Sequence, residues 1–353
     1  MIINRLNIPL LAFTLLAFAG CMKDDLWVKS HQSTNRMTHG VFIINEGNFM
    51  YGNSSLSFYD PETHTLQNDI FFNINGLPLG DVAQSMTIHN NQGFIVINNS
   101  GKIYVINSSD GKYTGKITGL TSPRYIHFVN NEKAYISDLY AGKITIVNPV
   151  TLQITGVILT PGHASTEQMV QWNDLLFVSC WSFDNKIIVI DTRTDQVINE
   201  ITTGKQPGGV VLDKFNKIWT LCDGGWVRNG TGTRVPMLQR IDPVLQLVEK
   251  SFKLTSDGAP SRLAINGSGD SIMFINNGIW KLGVTQSSLD DHPFLNTGSH
   301  LYYSLGIDPH TSEIYISDAI DYQQQGIIYH YSSLGAKIDS FKTGIIPGSF
   351  CFN

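Results

Sequence analysis

The chain has 353 residues, with 24 Lys+Arg against 29 Asp+Glu, a formal net charge of -5, 32 glycines and 4 cysteines. A slightly acidic chain with no basic footprint speaks against nucleic acid and anionic lipid head groups as partners. So few cysteines, none closely spaced, exclude a disulfide framework and a Cys-rich zinc fold.

Residues 1–20 carry one Arg, an apolar run from Ile8 to Phe18 and small residues just before Cys21. This reads as a signal peptide, too short for an ordinary membrane-spanning helix. Phe18-Ala19-Gly20-Cys21 resembles the lipobox of bacterial lipoproteins. The resemblance implies that Cys21 becomes the lipidated N-terminus, and several acyl chains make such an anchor essentially permanent. Lys23, Asp24 and Asp25 resemble the short acidic export signal of Bacteroidetes-type lipoproteins, which implies placement on the outside of the outer membrane. The polar stretch 21–39 lacks periodicity and reads as a lipidated tether.

From residue 40 onward one pattern recurs. Its clearest copy runs from Lys205 to Leu254: strands are expected at Gly208–Asp213, Lys217–Cys222, Met237–Asp242 and Leu247–Leu254, separated by turn residues and one glycine-rich loop. Second strands at Val41–Asn45, Phe94–Asn98, Ala134–Asp138, Leu176–Cys180, Ile272–Asn276 and Ile314–Asp318 bring the number of copies to seven. Third strands follow them, with Gly278–Leu282 the weakest match. Four short strands per period of about forty residues is the signature of a propeller blade, whose sheet cannot bury both faces alone. The expected fold is all-β: a seven-bladed β-propeller with four-stranded blades over 40–353. The first copy lacks a first strand and Phe350–Asn353 looks like a strand without a blade, so the C-terminal strand is expected to complete the N-terminal blade and close the ring.

In such a blade the loops between strands one and two and between strands three and four leave on one face. Here they are short stretches such as Asn130–Glu132, Lys214–Asn216 and Asp191–Thr194, ordinary turn sequences. The opposite face differs. Its loops carry Phe49, Met50, Tyr51, Tyr140, Trp181, Phe183, Trp226, Arg228 and Tyr322, and the connections into the first strands add Arg124, Tyr125, His163, Arg262, Tyr302 and Tyr303. Aromatic side chains concentrated on loops of a rigid scaffold point to recognition of a large ligand. Phe49, Tyr51, Arg124, Tyr125, Tyr140, Trp181, Phe183, Trp226, Arg228, Tyr302 and Tyr322 form the candidate site.

The sequence has no Gly-x-Ser-x-Gly elbow, His-Glu-x-x-His helix, Cys-x-x-Cys pair or phosphate loop, so no catalytic residue, cofactor or metal is assigned. Asp138, Asp223 and Asp318 recur at one repeat position, where a ring of metal ligands at the channel mouth is one reading and acceptance of backbone hydrogen bonds within each blade is the expected one. Cys180 and Cys222 occupy equivalent places in adjacent repeats, where either a bridge or two buried thiols would fit.

The degenerate repeats resemble YncE-like and lactonase-like propellers. Gly40–Asn48 followed by Asn53–Asp60, behind a lipobox and acidic signal, resembles BtuG-type surface lipoproteins of Bacteroidetes more narrowly. That resemblance implies capture of cobalamin and related corrinoids, as ligand rather than cofactor, and handover to a TonB-dependent outer-membrane transporter. A surface glycan-binding protein and a lactonase-like hydrolase are the alternatives.

Overall fold

The computed structural model describes residues 36–225, 235–255 and 259–353. The expected signal peptide, Cys21, the expected tether up to residue 35, Trp226 and Arg228 lie outside them. The body, Met37–Asn353, contains seven antiparallel sheets. Blade 1 pairs Pro347–Phe352 with Val41–Asn45, Ser55–Asp60 and Thr65–Gln67. Blades 2, 3 and 4 span Ala83–Ile117, Pro123–Leu159 and Met169–Thr202. Blades 5, 6 and 7 span Pro207–Lys253, Ser261–Gly283 and Tyr302–Ile345. The first strand of each blade lies against that of the next and the last returns to the first, which is the closed ring of a seven-bladed β-propeller.

The strands form where they do because of what each must cover. Second strands such as Val41–Asn45, Ala134–Asp138 and Ile314–Asp318 are buried at every position, since blades press on both faces of the sheet. Outer strands such as Gln153–Leu159 and Gln196–Thr202 expose most of their side chains. Blades meet through β-branched and aromatic layers: Phe177, Ile187 and Val189 of blade 4 pack against Val210, Ile218 and Ile241 of blade 5. At the closing seam Val41, Ile43 and Tyr59 of blade 1 meet Tyr315 and Ile328 of blade 7.

Two details depart from the regular repeat. Blade 6 has a three-stranded sheet, and Leu295 takes the outer place by a single bridge to Ile279. This is the copy whose third strand was the weakest match. A short helix, Ile70–Asn75, joins blade 1 to blade 2 and buries Ile70 and Phe71, although no helical period is visible in so short a stretch. Cys180, Cys222 and Cys351 are free and buried.

Candidate functional site

In six blades the second residue of the first strand is set apart by a local irregularity, and in blade 4 the matching irregularity falls just ahead of Met169. The pairing register shifts across Gly348, Gln84, Gly208 and Tyr303, and in the same place across Arg124–Tyr125 and Arg262–Leu263. In blade 4 Ser179 is faced by both Glu167 N–H and Gln168 C=O. A bulge puts one extra residue on the strand and re-aims its side chain. Repeated in every blade, it gathers Gln84, Arg124, Glu167, Arg262 and Tyr303 into one network with Glu46.

Arg124 Nε lies 2.9 Å from both Glu167 carboxylate oxygens, and its Nη1 donates to Gln84 Oε1. Burial raises the pKa of Glu167 against the opposing pull of Arg124. Across the ring Arg262 Nη2 is 3.5 Å from Glu46 Oε1, and Tyr303 Oη donates to Glu46 Oε2 at 2.8 Å. Arg262 also stacks over the Tyr303 ring at 5.0 Å and donates from Nε to the Tyr303 carbonyl at 3.1 Å. These contacts hold Arg262 in the left-handed region at φ 59, a strain of about 1–3 kcal/mol. Burial, with Glu46 adding to it, pushes the Tyr303 hydroxyl well above the ordinary tyrosine range. Glu46 enters the ring only because residue 348 is glycine: a Cβ there would collide with the Glu46 carboxylate.

Around this floor stand the loop aromatics. Phe49, Tyr51, Tyr140 and Phe183 are exposed, Tyr140 at 71% and Phe183 at 86%. Tyr322 is exposed too and meets Tyr303 edge-on at 5.7 Å, while its carbonyl accepts from Asn48 Nδ2 at 2.6 Å. Trp181 is half-buried: its ring edge lies where a Cβ on Gly208 would touch it, and Nε1 donates to Asp223 Oδ2 at 3.1 Å. Tyr125 is half-buried on the first strand of blade 3. Tyr302, expected on this face, is instead buried between blades 6 and 7 beside Ile275, Ile279 and Tyr329. Alternation along the strand turns Tyr302 into the core and leaves the next residue, Tyr303, for the ring.

The recurrent acidic position holds the loops in place. Asp138 accepts from the N–H groups of Ser122, Tyr140 and Ala141, and Asp318 from those of Leu301 and Ile320. Asn98 does the same work as a donor, to Ser122 Oγ and the Pro123 carbonyl. A cavity of about 230 Å³ opens on this face, lined by Phe183, Asp184, Asn185, Lys205, Gln206 and Gly225. On the turn face a cleft of about 190 Å³ lies among His89, Asn90, Asn131 and Val150, all hairpin residues or their neighbours.

Glu46, Gln84 and Glu167 were not singled out as site residues, because a bulge does not show in hydropathy. Gln84 has a positional signal, since it follows the small residue that opens its first strand just as Arg124 and Arg262 follow Pro123 and Ser261, whereas Glu46 and Glu167 lie outside any first strand and have none.

Residues 39–342 match the model of a family described as a domain of unknown function, DUF5074. The chain belongs to that family. No curated protein matches it. Among solved structures the chain is similar to a quinonprotein alcohol dehydrogenase-like protein from Bacteroides thetaiotaomicron, at 15% identity and a TM-score of 0.70, over 90% of this chain and 79% of that one. It is also similar to the hydrazine synthase of Kuenenia stuttgartiensis, at 13% identity and a TM-score of 0.61, over 76% of this chain and 89% of that one. At these identities the likeness shows the fold alone.

Proposed function

We propose that this protein is a non-enzymatic lipoprotein of the outer-membrane surface that captures corrinoids such as cobalamin on its loop face and passes them to a TonB-dependent transporter. The observation that carries the reading is the pairing of exposed rings, Phe49, Tyr51, Tyr140, Phe183 and Tyr322, with a polar floor of Arg124, Glu167, Arg262 and Glu46 on one face. A corrinoid offers a broad macrocycle to stacking surfaces and a fringe of amides to fixed donors and acceptors. Both central carboxylates are engaged by arginines, which suits a rigid floor better than proton transfer. The lipobox at Cys21 and the resemblance to BtuG-type lipoproteins support the location and the ligand. Among the described residues no helix is long and apolar enough to cross a membrane.

Calorimetry of the mature chain with cyanocobalamin tests the proposal, and absence of binding at micromolar protein would overturn it. Tyr140→Ala combined with Phe183→Ala should weaken binding by about thirtyfold, on the order of 2 kcal/mol. Asn131→Ala and Thr194→Ala on the turn face should leave it unchanged. The same exposed tyrosines also suit stacking on sugar rings, so a surface glycan receptor is the second reading; binding to polysaccharide but not to corrinoid would select it. Turnover of lactones by the purified chain would revive a hydrolase.

A further inference from the structure

We propose that His163, Cys180 and Asp184 form a site for one thiophilic divalent cation of the zinc class, with one coordination position left to the adjoining cavity. Cys180 ends the second strand of blade 4, Asp184 lies in the loop that follows, and His163 comes from the connection out of blade 3. One ligand atom from each, all within 4.8 Å of one another, makes a mixed N, S and O donor set. Zinc takes such donors at about 2.0–2.3 Å in a tetrahedron. Cys180 and His163 are buried, and Cys180 is fixed at the end of a strand. Thr160 fixes the backbone of His163, accepting from its N–H at 3.0 Å and donating from Oγ1 to its carbonyl at 2.9 Å.

A second observation concerns the imidazole. Nδ1 is 2.6 Å from Asp184 Oδ2, while Nε2 is 3.2 Å from Glu200 Oε1 on the outer strand of the same blade. A ligating histidine commonly gives its second N–H to a carboxylate, which fixes the tautomer and orients the ring. Glu200 stands in that role. Cation binding displaces the proton between Nδ1 and Asp184 and the proton of the Cys180 thiol, and leaves Nε2–H on Glu200.

The cluster also borders a cavity through Asp184. Three protein donors leave a tetrahedral ion one place for water or an exogenous donor. That cavity is the one of about 230 Å³ described above. In the same wall Gln206, 2% exposed, has neither amide atom hydrogen-bonded among the described residues. A buried amide without a partner is costly, and a molecule seated in the cavity would satisfy it.

The cation site does not rest on the corrinoid reading, although Phe183 borders the same cavity, and it is tested without a corrinoid. The mature chain, free of any histidine tag, is stripped with a chelator and titrated with Co(II) as a spectroscopic probe, then loaded with Zn(II) for metal analysis. The expected result is one equivalent bound, a thiolate-to-cobalt charge-transfer absorption and a raised Tm. Cys180→Ser should abolish the charge-transfer absorption, and Glu200→Gln should keep it with affinity lowered about 10- to 100-fold. The proposal is overturned if the unaltered chain shows no thiolate-to-cobalt absorption, or if Cys180→Ser binds with unchanged affinity. Should Cys180→Ser fail to fold, the absorption of the unaltered chain decides alone.

Discussion

Arg124 and Glu167 are 18% and 5% exposed at the side chain, so water screens their attraction little and would hydrate either one poorly if it stood alone. The pair therefore has an asymmetric energetics: making it contributes little net stability, whereas removing one partner strands a buried charge. Glu167→Gln should cost about 3 kcal/mol or more in a denaturant melt, since Arg124 would keep only neutral acceptors. Replacing both, as Arg124→Met with Glu167→Met, should recover much of that loss. A single substitution costing under about 1 kcal/mol would mean that solvent reaches the ring floor. Arg124 was visible in the sequence as a cation on the connecting face. Its partner was not, because Glu167 lies 43 residues further along the chain and no pattern in the sequence joins the two; His163, four residues before it, pairs with Asp184 and Glu200 instead.

The hairpin between the third and fourth strands of blade 5 shows how much an element owes to one charged side chain. Asp242 Oδ1 accepts from the N–H groups of Val244 and Leu245 at 2.8 and 2.9 Å, while Oδ2 takes Lys217 Nζ at 2.5 Å. Lys217, ahead of the turn hydrogen bonds, holds the carboxyl below the usual aspartate range. With the folded value depressed, its stabilisation is present above the unfolded value and is lost as pH falls through the folded one. Asp242→Asn keeps an acceptor for the turn but loses the charge. It should cost about 1 kcal/mol at pH 7 and progressively less as pH is lowered into the aspartate range, read from melts at several pH values. An undiminished cost at low pH would assign the effect to turn geometry. Elements of this kind were legible from sequence: Asp, Asn and Pro mark the turns, and apolar runs mark strands covered on both faces. What was not legible is register. The bulge that turns Gln84, Arg124 and Tyr303 inward adds one residue without changing hydropathy, so Tyr302 and Tyr303 read alike although only Tyr303 reaches the ring.

Closure decides the stability of the whole ring, and it rests on seven residues at the C-terminus. Val41, Phe42, Ile43 and Ile44 pair with Phe352, Cys351, Phe350 and Ser349, and beyond them Gly40 and Asn353 exchange backbone hydrogen bonds at 2.9 and 3.3 Å. Phe350 and Phe352 also approach Tyr315 of blade 7, at centroid distances of 6.1 and 5.5 Å. The strand is thus the innermost of blade 1 and packs against the first strands of blades 7 and 2. A propeller has no separate core to fall back on, because each blade buries its faces only against its neighbours. Removing Ile346–Asn353 would bare the edge of Val41–Asn45 and open both flanking seams, and the loss should spread from blade to blade. The expected outcome is an aggregation-prone chain without a cooperative melt, and a synthetic peptide of the missing residues should restore part of the transition when added in trans. A truncated chain that stays soluble and melts in one sharp step would show that the two ends are held by other contacts and that the C-terminal strand is a cover rather than the closure.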